Sequence, residues 1–494
     1  MKPARLLAAC SIAGRLILPG VLAGALGACA VGPDFVAPAA PSDTGYTAQP
    51  LPAAAVGGPG PTGTAQYWVP AQTVEPDWWK AFASPRLDAL LAAALADSPD
   101  LQSADAALRA AGELAAAQRG AFAPSASLEF LPTRQRVAST LSSPTASGAN
   151  LYTLHTAQLS VAYAPDVFGG QRRQSESAQA QVDTARLQRA AARLTLASNL
   201  VNAVINQAAL EEQLAADRAI VQAAQACLDA MRAARRAGQA GAADVAAQEA
   251  LLAQAQAALP ALERQLAQQR DLVAALAGRT PATDRLPRPS LDDLQLPARL
   301  PLTLPARLVE QRPDIQAAQA QMRAASAQIG IAQAARLPNI ALSAAIGSAA
   351  LTPGTLFQSG GGFWSIGADL VQPLFQGGAL RHRQRAAEAS YEEAAAQYRL
   401  VVLGAFQNVA DVLYAIDADA RGLQAALAAQ QATQRALAIA QAQWRAGQLG
   451  HPAVWQAEQA WQQARVALIQ ARASRLSDTV ALFQALGGGA VAAP

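Results

Sequence analysis

The chain has 494 residues, with 38 basic and 35 acidic side chains, so its formal net charge at pH 7 is +3. This length allows one large domain or several ordinary ones, and the balanced charge gives no indication of nucleic-acid binding. Only three cysteines are present, too few for a disulfide framework once the two near the N-terminus are set aside. The third, Cys227, lies in a helical pattern, where we expect a small apolar packing residue rather than a reactive thiol.

The N-terminal segment at residues 1–28 has the charged start, apolar middle and small-residue end of a secretory signal peptide. Its apolar part is shorter than the roughly 20 residues that a membrane-spanning helix needs. The sequence LGAC at 26–29 matches the lipobox of bacterial lipoproteins, in which cleavage leaves the cysteine first and ready for acylation. We therefore predict an exported chain with covalent lipid on Cys29 and no other cofactor. Alanine, rather than aspartate, follows the cysteine and favours release from the inner membrane. The alternative is an ordinary signal peptide with an incidental cysteine.

The rest of the chain contains an internal repeat. SPDLQ at 98–102 returns as RPDIQ at 312–316, and RAGQ at 236–239 returns at 445–448. Pro124 and Pro338, which end helical patterns, are 214 residues apart, and the two RAGQ segments are 209 apart. The predicted organisation is a signal peptide at 1–28, an anchored segment at 29–85, repeat 1 at 86–278, a linker at 279–305, repeat 2 at 306–488 and a tail at 489–494.

Each repeat has the same predicted order of elements: a helix, a β-hairpin, a long helix and a returning helix. The hairpins are expected at 124–168 and 338–375, and each is split by turn-forming residues. The long helices, from 168 to 238 and from 375 to 447, would each measure roughly 105 Å. We predict the remaining helices at 86–119, 242–277, 306–336 and 452–485, with a kink at Pro260.

Two features of this pattern indicate an oligomer. The long helices have only a narrow apolar seam, as in coiled coils, which buries too little to stabilise a rod of this length alone. Two hairpins supply four strands, which are too few to close a barrel. After the signal peptide no uninterrupted apolar run reaches spanning length, so a membrane crossing by this chain would have to be a β-barrel.

Several motifs carry a resemblance to a known family. They include CAVGPDFVAP at 29–38, WWKAFASPRLDALL at 78–91, LPARLVEQRPDIQAAQAQMRAA at 304–325 and PLFQGGALRHR at 373–383. With these motifs the chain resembles the TolC-like outer-membrane efflux channels, in the lipoprotein branch that serves resistance-nodulation-division pumps.

The resemblance implies a mainly α-helical homotrimer in the outer membrane that performs no chemistry. Each chain would give four strands to a shared twelve-stranded β-barrel, and its helices would form a hollow cylinder across the periplasm. Residues 30–85, 278–305 and 486–494 would form a belt around that cylinder. An inner-membrane resistance-nodulation-division pump would supply the energy, and a periplasmic adaptor protein would join it to this chain.

The resemblance also implies functional residues at the periplasmic end. The RAGQ segments become helix-turn-helix tips that contact the adaptor, through Arg236, Gly238, Arg445 and Gly447. The alternative is that the two glycines are plain helix C-caps, and both roles are compatible.

A periplasmic gate is implied beside these tips. In relatives, an aspartate bonds a tyrosine and an arginine and holds the pore shut; this chain has Asp244, Trp444 and Leu449 at those positions. We therefore expect a weaker latch, although Asp244 could instead only cap the returning helix. Relatives also ring the aperture with a carboxylate, where this chain has Gln456. We expect a less cation-selective mouth here, with Glu458 and Asp244 as the remaining carboxylates.

Other polar and aromatic residues have simpler explanations. Trp78 and Trp79 are expected to pack in the belt rather than to anchor the chain at a membrane interface. The predicted function is a passive exit duct for drugs or other small toxic compounds, and metal-ion efflux, type I protein secretion and a structural outer-membrane spacer are the alternatives. Five arginines follow the predicted strands and are expected on a solvated helix face or facing lipid headgroups: Arg172, Arg173, Arg381, Arg383 and Arg385.

Overall fold

A computed structural model describes residues 30–43, 45–50, 52, 54–57, 63–138, 140–141, 145, 148–283, 285 and 288–489. The predicted signal peptide, Cys29 and most of the predicted tail lie outside the described residues. The chain divides into two compact units. Unit 1 contains the residues up to Ala37, Leu108–Thr184 and Ala318–Tyr398; unit 2 contains Pro38–Ala107, Ala185–Ala317 and the residues from Arg399 onward.

The fold is mainly α-helical, as predicted. In chain order the helices are α1 Pro85–Asp97, α2 Pro99–Gly120, α3 Gly170–Arg236, α4 Ala242–Leu276, α5 Pro305–Gln311, α6 Pro313–Ala334, α7 Ala379–Arg445 and α8 His451–Ala485. The strands are β1 Ala54–Ala55, β2 Gln66–Pro70, β3 Ser125–Arg136, β4 Leu151–Tyr163, β5 Arg299–Leu302, β6 Asn339–Ala350 and β7 Gly362–Val371.

The two predicted internal repeats are present and match residue for residue in their helices. Helices α2 and α6 each have 22 residues and start 214 positions apart. Helices α3 and α7 each have 67 residues, and α4 and α8 each have 35, with starts 209 positions apart in both cases. A residue in one of these helices of repeat 1 therefore has a defined counterpart in repeat 2.

Unit 1 contains a four-stranded antiparallel sheet in the order β3-β4-β6-β7. Its two hairpins lie within the predicted hairpin segments, and β4 pairs with β6 to join the repeats. Within one chain the sheet stays open, since β3 and β7 are edge strands. Open edges of this length normally find a further strand.

The sheet has one strongly apolar face. Side chains on opposite faces alternate along each strand, so register partners form rows across the sheet. Beside the apolar rows, Gln158 Nε2 donates to Glu129 Oε2 at 3.1 Å on the other face. One row of register partners is apolar throughout, with exposed fractions of 82, 43, 62 and 74%: Leu128, Leu159, Ile346 and Trp364.

Unit 2 contains a second, small sheet that the sequence did not predict. Strand β2 pairs antiparallel with β1 and parallel with β5, which is more than 200 residues away in the chain. Close by, the Trp78 ring stacks on Phe483 with 5.3 Å between centroids, and both Trp78 and Trp79 are buried. The two tryptophans therefore pack inside the protein, as expected for the belt.

Two predicted helices are each divided in the structure. The helix expected at 86–119 is α1 followed by α2, and the helix expected at 306–336 is α5 followed by α6. Ser98 and Arg312, at the two breaks, have extended ψ angles of 122°. The cause is the proline that follows each of them, because its ring disfavours helical backbone at the preceding residue.

Two further details concern the long helical segments. Pro260, where we predicted a kink, lies inside α4, which continues through it as one helix. Among the described residues, one stretch of α7 is long and apolar enough to cross a membrane by composition alone. A single stretch of this kind is weak evidence, because helices that pack against protein pass the same test.

Candidate functional site

Each long helix ends in a glycine turn of the same geometry. Gly238 has a φ of +74° and Gly447 a φ of +72°, in the left-handed region that suits glycine. At each turn the glycine amide donates to the carbonyl three residues back, at 3.0 and 2.9 Å, and the next amide donates five residues back, at 2.8 Å. These are Schellman motifs, so both glycines are helix C-caps. Their contact with an adaptor stays a prediction.

The predicted tip arginines lie at the ends of the same helices. Arg236 is the last residue of α3 and Arg445 is the last residue of α7, and both are exposed. A positive side chain is favourable near the C-terminus of a helix, where the carbonyl dipoles accumulate. The arginines therefore have a structural role that leaves their guanidinium groups accessible to a partner.

A groove of about 1040 Å³ lies between the two turns in unit 2. Helices α3, α4, α7 and α8 all contribute to its lining, and all three predicted gate residues are among the lining side chains. Asp244 comes from the start of α4, Trp444 from the end of α7 and Gln456 from the first turns of α8. Residues more than 200 positions apart in sequence are thus brought to one groove.

Asp244 caps the helix that it begins. Its Oδ2 accepts a hydrogen bond of 2.9 Å from the amide of Gly241, the N-cap residue of α4. A carboxylate at this position also interacts favourably with the helix N-terminus. The capping role that we kept open for Asp244 is therefore occupied, and the gate role stays a prediction for its other oxygen.

The neighbouring polar residues are arranged differently from each other. Gln456 is exposed, while Glu458 accepts a hydrogen bond of 2.9 Å from Gln462 Nε2, one turn further along α8. Leu449, at the position where relatives have an arginine, is 37% exposed. The side chain that lines the groove at this level is therefore the neutral amide of Gln456.

An apolar cluster supports the groove from below. Trp455 is 4% exposed and packs with Cys227, Val245 and Leu252. Cys227 is fully buried there, and burial raises the pKa of its thiol, as suits a packing residue. Sequence reasoning missed Trp455, although an aromatic residue one position before Gln456 on a helix was a visible signal for a buried anchor.

The residues that follow Cys29 are held in unit 1 by Arg173. This arginine is 6% exposed, and its guanidinium donates to the carbonyls of Val31 and Gly32 at 3.3 and 3.2 Å. It also pairs with Asp34 at 2.7 Å, and the Val31 amide donates to the carbonyl of Phe168 at 3.0 Å. We call residues 30–34 the N-terminal strap.

Glycines make this close approach possible. A Cβ on Gly32, whose φ is +104°, would lie 2.5 Å from the Cα of Gly330, and a Cβ on Gly169 would lie 2.6 Å from the Cα of Ala30. Both distances are far shorter than a real side chain tolerates. The strap therefore runs directly over the junction between β4 and α3, where only hydrogen atoms fit between the backbones.

The five arginines near the strands do not form one cluster of a single kind. Arg173 is buried under the strap, and Arg172 pairs with Asp166 at 3.4 Å. The three arginines of repeat 2 are exposed: Arg381, Arg383 and Arg385. Arg173 is thus the exception to a solvated helix face, and sequence reasoning did not distinguish it.

A buried polar cluster in unit 2 was not predicted. Arg475 on α8 is fully buried, and its guanidinium donates to the carbonyl of Thr64 at 2.9 Å and to Gln66 Oε1 at 3.3 Å. Beside it, the carboxyls of Asp419 and Asp478 hydrogen-bond to one another. Burial, reinforced by this like-charged neighbour, raises the pKa of Asp419 to about 7, and burial also raises the pKa of Asp478.

Comparisons with known proteins agree with this architecture. A family model described as outer membrane efflux protein matches residues 90–279 and 304–488. The pyoverdine export outer membrane protein OpmQ of Pseudomonas putida is 32% identical over 83% of this chain and 88% of its own length. The toluene efflux pump outer membrane protein TtgF, from another strain of Pseudomonas putida, is 30% identical over 95% of both chains. The crystal structure of outer membrane protein VceC of Vibrio cholerae has a TM-score of 0.75 and 28% identity, over 84% of this chain and 99% of that one.

Proposed function

Because this chain belongs to the outer membrane efflux protein family, we propose that it is the passive outer-membrane exit duct of a tripartite efflux system. One observation carries the proposal. A four-stranded antiparallel sheet with one apolar face leads, through β4 and β7, into two helices of 67 residues each. An alternating apolar face is what a membrane-spanning strand presents to lipid, and an isolated helical spacer would have no use for it.

A homotrimer supplies what one chain lacks. The edges of the sheet, β3 and β7, are unpaired within the chain, and four strands cannot enclose a lumen. Three copies give twelve strands and leave no edge, which is the arrangement that the family resemblance implies. The helices below then line a common path for the cargo.

The partners proposed are a periplasmic adaptor and an inner-membrane resistance-nodulation-division pump. The exposed ends of α3 and α7, with Arg236 and Arg445, support a docking role for the two turns. Relatives are named for pyoverdine export and for toluene efflux, and both compounds are small molecules. We assign the same broad class, small toxic or exported compounds, to this chain.

Lipid on Cys29 is the proposed anchor. The strap supports it, because residues 30–34 are held at the junction between β4 and α3, at the foot of the sheet. An acyl chain on the preceding residue would then lie beside the membrane-facing strands. Intact-mass analysis of the mature protein tests this: acylation adds the mass of the fatty acids, and Cys29→Ala removes it.

Site-specific photo-crosslinking in the native envelope tests the function. A photoreactive residue at position 236 or 445 should capture an adaptor, and a resistance-nodulation-division pump should co-purify with it. The control is the same residue at the exposed position 264, in the middle of α4, which should capture no adaptor hairpin. Recovery of an ATP-driven transporter would instead indicate protein secretion, and a chain that captures no pump component would support the spacer.

A further inference from the structure

A contact within unit 1 shows how one repeat packs on the other. Helix α6 of repeat 2 lies antiparallel on the first turns of α3 of repeat 1. Gln328 Nε2 donates to Ser177 Oγ at 3.0 Å. Closer to the sheet, a Cβ on Gly330 would lie 2.8 Å from Cγ of Arg173. These two pairs fix the register of α6 on α3.

The counterpart surface on α7 is uncovered. Adding 209 to a position on α3 gives its counterpart on α7. The α3 stripe under α6 is buried, and the α7 stripe is exposed, although both follow the same spacing of four and three residues. The buried residues are Arg173, Ser177 and Ala180, and their exposed counterparts are His382, Ala386 and Ala389.

The counterpart of α6 is uncovered as well. Subtracting 214 from a position on α6 gives its counterpart on α2. In unit 1, α6 buries seven residues between 318 and 334, whereas α2 buries only Ala115 between 108 and 120. The chain therefore contains two exposed helix faces whose counterparts pack on each other.

We propose that α2 of a second copy of this chain docks on α7 in the register that α6 takes on α3. The two faces cannot meet within one chain, because β3 and β7, which adjoin α2 and α7, are the opposite edges of the sheet. Between copies they meet at the same place where β7 of one subunit can pair with β3 of the next. This inference rests on the proposed trimer and adds the residue-level register of its interface.

A glycine and an alanine support this register. Within the chain, a Cβ on Gly170 would lie 3.1 Å from the Cβ of Ala334, so one glycine is needed at this crossing. The counterpart pair is Ala379 and Gly120, in which the glycine has moved to the other helix. Gly120 has no atom within 4 Å of a built Cβ and no positive φ, so nothing in the described part of the chain requires glycine there. A close approach by α7 of a second subunit explains it.

Charge gives a second check. Arg323 on α6 approaches Glu176 and Asp183 on α3, at 3.8 and 4.0 Å. The counterparts place Arg109 of one subunit opposite Glu392 of the next, so the ion pair with Asp183 has an equivalent between subunits. Arg385 replaces Glu176, and only one of the two ion pairs carries over.

Paired cysteines test the register in the full-length protein purified in detergent. Ala116 and His382 are the counterparts of Gly330 and Arg173, so Ala116→Cys with His382→Cys should form disulfides between subunits on mild oxidation. The matched control pairs Ala116→Cys with Ala389→Cys, seven residues and about 10 Å further along the same face. We expect covalent dimers and trimers on non-reducing gels from the first pair and monomers from the second.

Charge reversal gives a readout that does not depend on oxidation. Arg109→Glu should lower the fraction of trimer that survives mild detergent, and Glu392→Arg in the same chain should restore it. If the protein is trimeric by native mass measurement but the control pair cross-links instead, or the double reversal fails to rescue, the register is wrong. A protein that is monomeric in its native envelope would instead refute the proposed trimer itself.

Discussion

Replacing Arg173 by alanine should release the N-terminal strap while leaving the helices intact. The arginine makes three contacts that hold the strap: two hydrogen bonds to the carbonyls of Val31 and Gly32, at 3.3 and 3.2 Å, and an ion pair with Asp34 at 2.7 Å. Its fourth contact, with Glu176 on the same helix, does not involve the strap. The change therefore acts on the attachment of residues 30–34.

The size of the effect follows from these contacts. Hydrogen bonds from a charged donor contribute about 1.5–3 kcal/mol each, and the long distances here favour the lower end. The side chain of Asp34 is 91% exposed, so its ion pair contributes about 1 kcal/mol or less. Together they give about 3 kcal/mol, which corresponds to about a hundredfold change in the equilibrium between attached and released strap.

Hydrogen exchange of the Val31 amide measures that equilibrium, because this amide is bonded to the carbonyl of Phe168 only while the strap is attached. In Arg173→Ala we expect exchange at Val31 to be about a hundredfold faster. The control is Arg172→Ala, since Arg172 pairs with Asp166 and does not touch the strap. If both variants change the Val31 amide equally, Arg173 is not what holds the strap.

The remaining predictions concern the turns, the buried carboxyls and the mouth. Gly447→Ala should cost about 1 kcal/mol and speed amide exchange in the turn, because its φ is +72°, whereas Gly404→Ala, inside α7 with open space around it, should stabilise by a similar amount. The raised pKa of Asp419 means that wild-type stability falls as the pH rises from about 4 to 7; thermal melts in detergent should show Asp419→Asn losing less over that range, and Asp417→Asn following wild type. Single-channel recordings should show a weak preference for cations that Gln456→Asp strengthens; no change would argue against this residue lining the aperture.

The repeat is the part of the fold that sequence predicted best. Helical periodicity and the two proline landmarks located the long helices, and the offsets of 214 and 209 residues hold along their whole lengths. Local signals were enough here because proline and glycine act on their own backbone. The same kind of residue divided two predicted helices, after Ser98 and Arg312, and that rule was available from sequence but was not applied.

What the sequence did not reveal depends on distant residues. Strand β5 joins β2 across more than 200 positions, and Arg475 becomes buried because Thr64 and Gln66 cover its guanidinium. A lone arginine in a polar helix has the same local pattern as an exposed one. Likewise Arg172 and Arg173 are adjacent and chemically identical, and only the position of the strap makes one of them a buried anchor.

The structure also changes how the gate should be understood. Asp244 caps α4 through Oδ2, and a carboxylate has a second oxygen with its own lone pairs, so capping and a bond across the groove are compatible. What distinguishes this chain is the partner: Leu449 offers no charge where relatives have an arginine, and Trp444 brings an indole to the same groove. A latch between a carboxylate and an indole is a neutral-donor hydrogen bond, which is about half as strong as an ion pair that is also hydrogen-bonded. The closing force at these tips therefore comes mainly from helix packing around Trp455, and less from charge.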